Sequence, residues 1–191
     1  MLDEKKTVAA LKAAYKGGGY RVAFTEGTVL IRAGEWAAKI DAEYIWPKIL
    51  GTIVEHIGML PERPAAYTAR KGMDPGSTCM LDEELAAWAK LDAKAEAATT
   101  PIRRTRLQIE GYEVWQTGQE LRARLMDPYF TQIIDDEGAN RAYTYADGDR
   151  LGAEICFKGF VETVIIAGVK YSKASSAMQR IDGFPWLGEG S

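Results

Sequence analysis

Residues 46–58 read WPKILGTIVEHIG, and they describe a helix from both ends inward. Pro47 suits the first helical position, where its missing N–H is not needed and its φ is already set. Ile49, Leu50, Ile53, Val54 and Ile57 recur along one face of a 3.6-residue period, and strand alternation does not fit them. Gly58 offers a left-handed cap and Pro61 prevents continuation. Burying each of the five aliphatic side chains contributes roughly 1.5–3 kcal/mol, so this helix is the expected keel of a core.

Working outward, residues 3–16 read as a second helix. Asp3 is its cap, Val8, Leu11 and Tyr15 share a face, and Gly17-Gly18-Gly19 is its stop. Three short β-rich runs lie between the two helices. They are 20–25 (YRVAFT), 28–32 (TVLIR) and 35–40 (EWAAKI), split by Glu26-Gly27 and Ala33-Gly34. Runs this short, separated by two-residue turns, predict an antiparallel meander with the 46–58 helix across it. Residues 65–69 are a candidate edge strand.

Further on, MDPGSTC at 73–79 is turn chemistry. Asp82 is the expected N-cap of a helix to about Ala95, with Leu85, Trp88, Leu91 and Ala95 on one face. A hinge is expected near Thr99-Thr100-Pro101. The second half opens with 102–109 (IRRTRLQI), turns at Glu110-Gly111 and pairs back through 112–116 (YEVWQ). The period of 120–125 fits a strand or a helix. Residues 128–134 suit a short helix capped by Asp127, and strands are expected at 142–145, 153–157 and 160–166. The predicted class is α+β. It consists of two small antiparallel-sheet units with packed helices, residues 1–72 and 102–191, joined by a helical connector at 73–101. Whether the halves form one core or two stays open.

The composition is that of a soluble globular protein: 191 residues, 47% hydrophobic, 27% charged, net charge −3 with the signs interspersed. The charge balance points neither to a nucleic-acid binder nor to an acidic DNA mimic. No run of eighteen apolar residues predicts a membrane span. The start, MLDEKKTV, has no secretory pattern, so a cytoplasmic location is expected. Cys79 and Cys156, far apart, then read as reduced thiols with at least one in the core.

Chemistry-bearing residues are scattered. His56 is the only histidine; no nucleophile motif accompanies it, and it reads as structural or surface. Zinc and calcium patterns are incomplete, Asp147-Gly148-Asp149 included, so neither metal nor cofactor is expected. The triple glycine lies between a helix and a strand, the reverse of a phosphate loop. The acids Asp135, Asp136, Glu137, Asp147 and Asp149 could in principle supply an acid and a base, though adjacent turn acids are usually just solvated. Arg103, Arg104 and Arg106 are the densest basic patch. On a regular strand Arg104 and Arg106 share a face opposite Arg103. They read as a charged edge that discourages aggregation, with nucleic-acid contact as the alternative. Trp36, Trp46, Trp88 and Trp115 are expected core anchors. Phe184, Trp186 and Leu187, in the Gly- and Pro-rich tail, are expected to dock onto their own domain or onto a partner, a second copy included.

YRVAFTEGTVLIRAGEW, then WPKILGTIVEHIGMLPERPAAY, then GYEVWQTGQELRARLMDPYFTQIID together resemble small accessory proteins carried by phages and mobile elements of gut bacteria. Some proteins of that kind bind and inhibit host defence machinery, RNA-guided CRISPR nucleases among them. The resemblance therefore implies an anti-CRISPR-type interaction protein whose partner is a host protein or ribonucleoprotein complex. With no catalytic constellation expected, Arg103, Arg104, Arg106, Phe184, Trp186 and Leu187 are the candidate contact residues.

Overall fold

The structure, a computed structural model, describes residues 1–118, 123–145 and 154–169. The fold is α+β, with five helices and ten strands among the described residues. The first half runs α1 (Glu4–Lys16), β1 (Tyr20–Phe24), β2 (Thr28–Ala33), β3 (Trp36–Asp41), α2 (Pro47–Ile57) and β4 (Ala65–Ala69). Then comes α3 (Leu81–Ala97). The second half runs β5 (Thr100–Ile109), β6 (Tyr112–Thr117), β7 (Ala123–Met126), α4 (Pro128–Thr131), α5 (Asp136–Ala139), β8 (Ala142–Thr144), β9 (Ile155–Lys158) and β10 (Glu162–Ile166).

All ten strands join one sheet in the order β4-β1-β2-β3-β10-β9-β8-β5-β6-β7. The expected meander is present, and β4 pairs antiparallel with β1 at the sheet's edge. The halves meet where β3 pairs antiparallel with β10, Trp36 opposite Ile166 and Ala38 opposite Val164. One buried cluster runs through that junction, from Val22, Ile31 and Ile53 to Phe157, Val164 and Trp115.

Local chemistry explains the pieces. Asp3 caps α1 by accepting from the Lys6 N–H at 2.9 Å. Gly58 closes α2 at φ 74°, in the left-handed region that favours glycine. Ile49, Ile53 and Ile57 are buried, and Leu50 and Val54 pack half-buried at the margin. The β5–β6 turn takes positive φ at both Glu110 (53°) and Gly111 (85°), which turns the chain with the natural twist of a hairpin. Asp127 caps α4 through the Tyr129 N–H, and the undecided segment contributes β7 at Ala123–Met126.

Helices cover both faces of the first half's strands. Val22, Ile31 and Ala38 lie in the same cluster as Leu11, Ile49 and Ile53 of α1 and α2. Their strand neighbours Ala23, Leu30 and Ala37 pack on Trp88 of α3. The connector is therefore a strut. Its first turns sit over β1 and β2, and its last turn packs Ala95 and Ala98 on Cys156 and Ile165 of the second half.

Three local expectations are corrected. The residue at the N-cap of α3 is Met80, with no side-chain cap bond, and Asp82 lies within the first turn. Leu85 is exposed, and Glu84 occupies the buried position beside it, because two arginines neutralise it there. Trp46 is 49% exposed and is no core anchor. No helix among the described residues is long and apolar enough to cross a membrane.

Candidate functional site

The three arginines of β5 do not act as one patch. Pairing between β5 and β6 shifts register between Arg104 and Gln108, so strict alternation fails. Arg103, Arg104 and Arg106 are all exposed in consequence. Arg104 nevertheless belongs to the fold. Its Nη2 lies 2.6 Å from Oε1 of Glu113, whose other oxygen accepts from Trp115 Nε1 at 3.1 Å and Thr131 Oγ1 at 2.8 Å. Glu113 is 3% exposed, so this cation balances a carboxylate that burial would otherwise penalise. Arg103 and Arg106 make no hydrogen bond or ion pair among the described residues. Phe184, Trp186 and Leu187 lie outside the described residues, as do Asp147 and Asp149.

His56 is held between α1 and β1. Its ring stacks on Tyr15 at 4.1 Å and 5°, and the Tyr20 hydroxyl lies 3.0 Å from Nδ1. Burial lowers its pKa, with Lys12 adding and Glu55 opposing. Burial raises that of Tyr20. The phenol therefore stays protonated, and the imidazole tautomer sets which partner donates in the hydrogen bond it shares with Nδ1. The contacts are those of a packing element. Cys156 is buried and Cys79 half-buried, both as free thiols. Burial pushes Cys156 up to about 11 and raises Cys79 as well.

Of the acids, Asp135 caps α5 by accepting from the Gly138 N–H at 2.6 Å and pairs with the Met1 amino group at 2.8 Å. Burial works against its ionisation, and the Met1 and Gly138 hydrogen bonds outweigh it, holding its pKa below the ordinary value. Asp136 and Glu137 are exposed in the first turn of α5. No cluster of three or more His, Cys, Asp or Glu side chains able to hold a metal ion forms among the described residues.

A different set of residues stands out at the sheet end formed by the close of β3 and the β9–β10 turn. Phe160 is 93% exposed, Tyr44 58% and Trp46 49%. Their loops are bonded together: the Asp41 N–H donates to the Val161 carbonyl at 2.8 Å, and the Tyr44 N–H donates back to Asp41 at 2.9 Å. Within the 42–46 loop, Ala42 and Ile45 pack on the core while Tyr44 and Trp46 turn outward. Arg141 lies over the Phe160 ring, 4.7 Å from its centre. Trp46 also occupies the N-cap of α2 and makes no side-chain cap bond there. Ser, Thr, Asp or Asn at that position would stabilise the helix by about 1 kcal/mol. The chain thus forgoes a cap and leaves three large rings in water.

Sequence reasoning missed this surface by assigning Trp46 to the core and Phe160 to a strand. The available signals were a Trp where a cap belongs, directly before Pro47, and a Phe directly after the Lys158-Gly159 turn. Comparison of the chain with protein-family models, with curated proteins and with solved structures gives no match.

Proposed function

We propose that this chain is an interaction protein that binds a macromolecular partner through Tyr44, Trp46 and Phe160, without catalysing a reaction. The carrying observation is the joint exposure of those three rings on bonded loops. Aromatic residues and arginine are the types enriched at binding hot spots. A local rule broken without local gain, here the missing cap at Trp46, is a mark of a functional position. The acid and base groups support the same reading. Glu113, His56 and Asp135 each serve a structural contact.

The resemblance to phage and mobile-element accessory proteins supplies the partner class. We propose a host defence protein or ribonucleoprotein, such as an RNA-guided nuclease, blocked by protein contact. The test adds purified protein to DNA-cleavage reactions with a panel of such nucleases. Inhibition by the wild type, lost in a Tyr44→Ser, Trp46→Ser, Phe160→Ser variant, is expected. Unchanged cleavage across the panel, with no host protein co-purifying, overturns the proposal.

Arg103 and Arg106, exposed on the β5–β6 hairpin and without a hydrogen bond or ion pair among the described residues, favour a second reading as a nucleic-acid contact. Steep salt dependence of binding, flattened by Arg103→Gln and Arg106→Gln, would mark it.

A further inference from the structure

We infer that a groove at the opposite end of the sheet, beside α3, binds a small molecule bearing a single carboxylate on an apolar body. The groove is open to solvent and has a volume of about 580 Å³, within the size range of small-molecule sites. It lies where β1 begins, where β2 turns into β3 and where β4 and β10 end. None of the three aromatic residues of the proposed partner surface lines it.

Its polar wall contains Arg21, Arg32 and Arg70. Arg21 and Arg32 converge on Glu84, which is 2% exposed. Arg21 Nη1 donates to Oε1 at 2.6 Å, and Arg32 donates from Nε to Oε2 at 3.2 Å and from Nη2 to Oε1 at 2.7 Å. A guanidinium carries five N–H groups, so both arginines keep donors beyond those given to Glu84. Burial works against ionisation of Glu84, and Arg32 and Arg21 outweigh it, so the carboxyl stays charged. Two cations on one carboxylate leave one positive charge over. Arg70 adds a third cation, exposed and without a hydrogen bond or ion pair among the described residues.

Two more acids line the groove, Glu35 and Glu154. Lys94 pairs with Glu154 and cancels it. Among the lining groups and the Glu84 carboxylate bonded to them, three arginines against Glu84 and Glu35 leave a surplus of one. Glu83, which also acts on Arg21, stands outside the lining. That surplus selects a monoanion, and a phosphate dianion would meet Glu35 and Glu84 with charge uncompensated. The guanidinium fork fits a carboxylate through paired N–H donors. Half-buried Leu91 and the edges of Ala33, Trp36, Ala37 and Ile165, each 3–5% exposed, supply the apolar part of the lining, against which a hydrocarbon body can lie.

The test is calorimetric titration of the full chain with hexanoate, its neutral isostere hexanamide, and inorganic phosphate. Arg70 stands outside the Glu84 pair, so Arg70→Gln leaves that buried network intact. Hexanoate is expected to bind saturably, more tightly than phosphate, and to lose roughly ten-fold or more in affinity both in Arg70→Gln and on replacement by hexanamide. No hexanoate binding at millimolar concentration overturns the inference. So does equal affinity for hexanamide, an unchanged Kd in Arg70→Gln, or tighter binding of phosphate than of hexanoate.

Discussion

Arg32 of β2 grips Glu84 of α3 with two hydrogen bonds, Nε to Oε2 at 3.2 Å and Nη2 to Oε1 at 2.7 Å. The pair ties the strut helix to the first half's strands, and Lys158 Nζ, donating to the Ala98 carbonyl at 2.7 Å, ties its far end to β9 of the second half. Glu84→Gln leaves two guanidiniums facing a neutral amide. A loss of about 2 kcal/mol is expected, less than for a fully buried pair because both arginines are partly solvated. Urea unfolding of the variant checks the magnitude.

Ile53 is fully buried on the inner face of α2. Ile53→Ala should cost about 2–5 kcal/mol, and Ile53→Asp should prevent folding altogether. A wild-type Tm in the Asp variant would remove α2 from the core.

Arg103 and Arg104 are sequence neighbours with unequal expected effects. Arg104→Ala takes the countercharge from a carboxylate that is 3% exposed and should cost about 1–3 kcal/mol. Arg103→Ala should change stability by no more than about 0.5 kcal/mol. Thermal unfolding of the two variants side by side decides whether Arg104 is structural.

His56 gives the fold a pH dependence of known sign. Burial lowers its pKa below the ordinary 6.5 in the folded chain. Between the folded and unfolded values the unfolded chain binds more protons, so stability is whole above that range and falls as pH drops through it. Glu84 and Asp135, whose folded pKa values are also lowered, act in the same direction at lower pH, below their ordinary values of 4.5 and 3.8. His56→Phe keeps a ring against Tyr15 and should flatten the drop in Tm between about pH 7.5 and pH 5.5. An unchanged slope in that variant would assign the effect elsewhere.

How much of this was legible follows from the range of each interaction. The meander and α2 could be read because their signals are local: two-residue turns, Pro47 at the start, Gly58 at the end. The β3–β10 junction could not, since Trp36 and Ile166 pair across more than a hundred residues with no local signature. The face of α3 was misread at Leu85, whose buried place Glu84 takes, because helical periodicity treats a carboxylate as solvent-facing unless its distant partners Arg21 and Arg32 are known. The β5 bulge defeated the simple division of the arginines by face. Trp46 and Phe160 were visible as residues and misplaced, Trp46 in the core and Phe160 in a strand, since their exposure is set by how the 42–46 loop and the β9–β10 turn meet.

The most direct measurement is affinity capture from a host bacterial lysate, using the wild-type chain beside the Tyr44→Ser, Trp46→Ser, Phe160→Ser variant of matched Tm. A specific protein or ribonucleoprotein retained by the wild type and absent from the variant is the predicted result. The same proteins on both, or none on either, would contradict the assignment of the aromatic end as the binding surface.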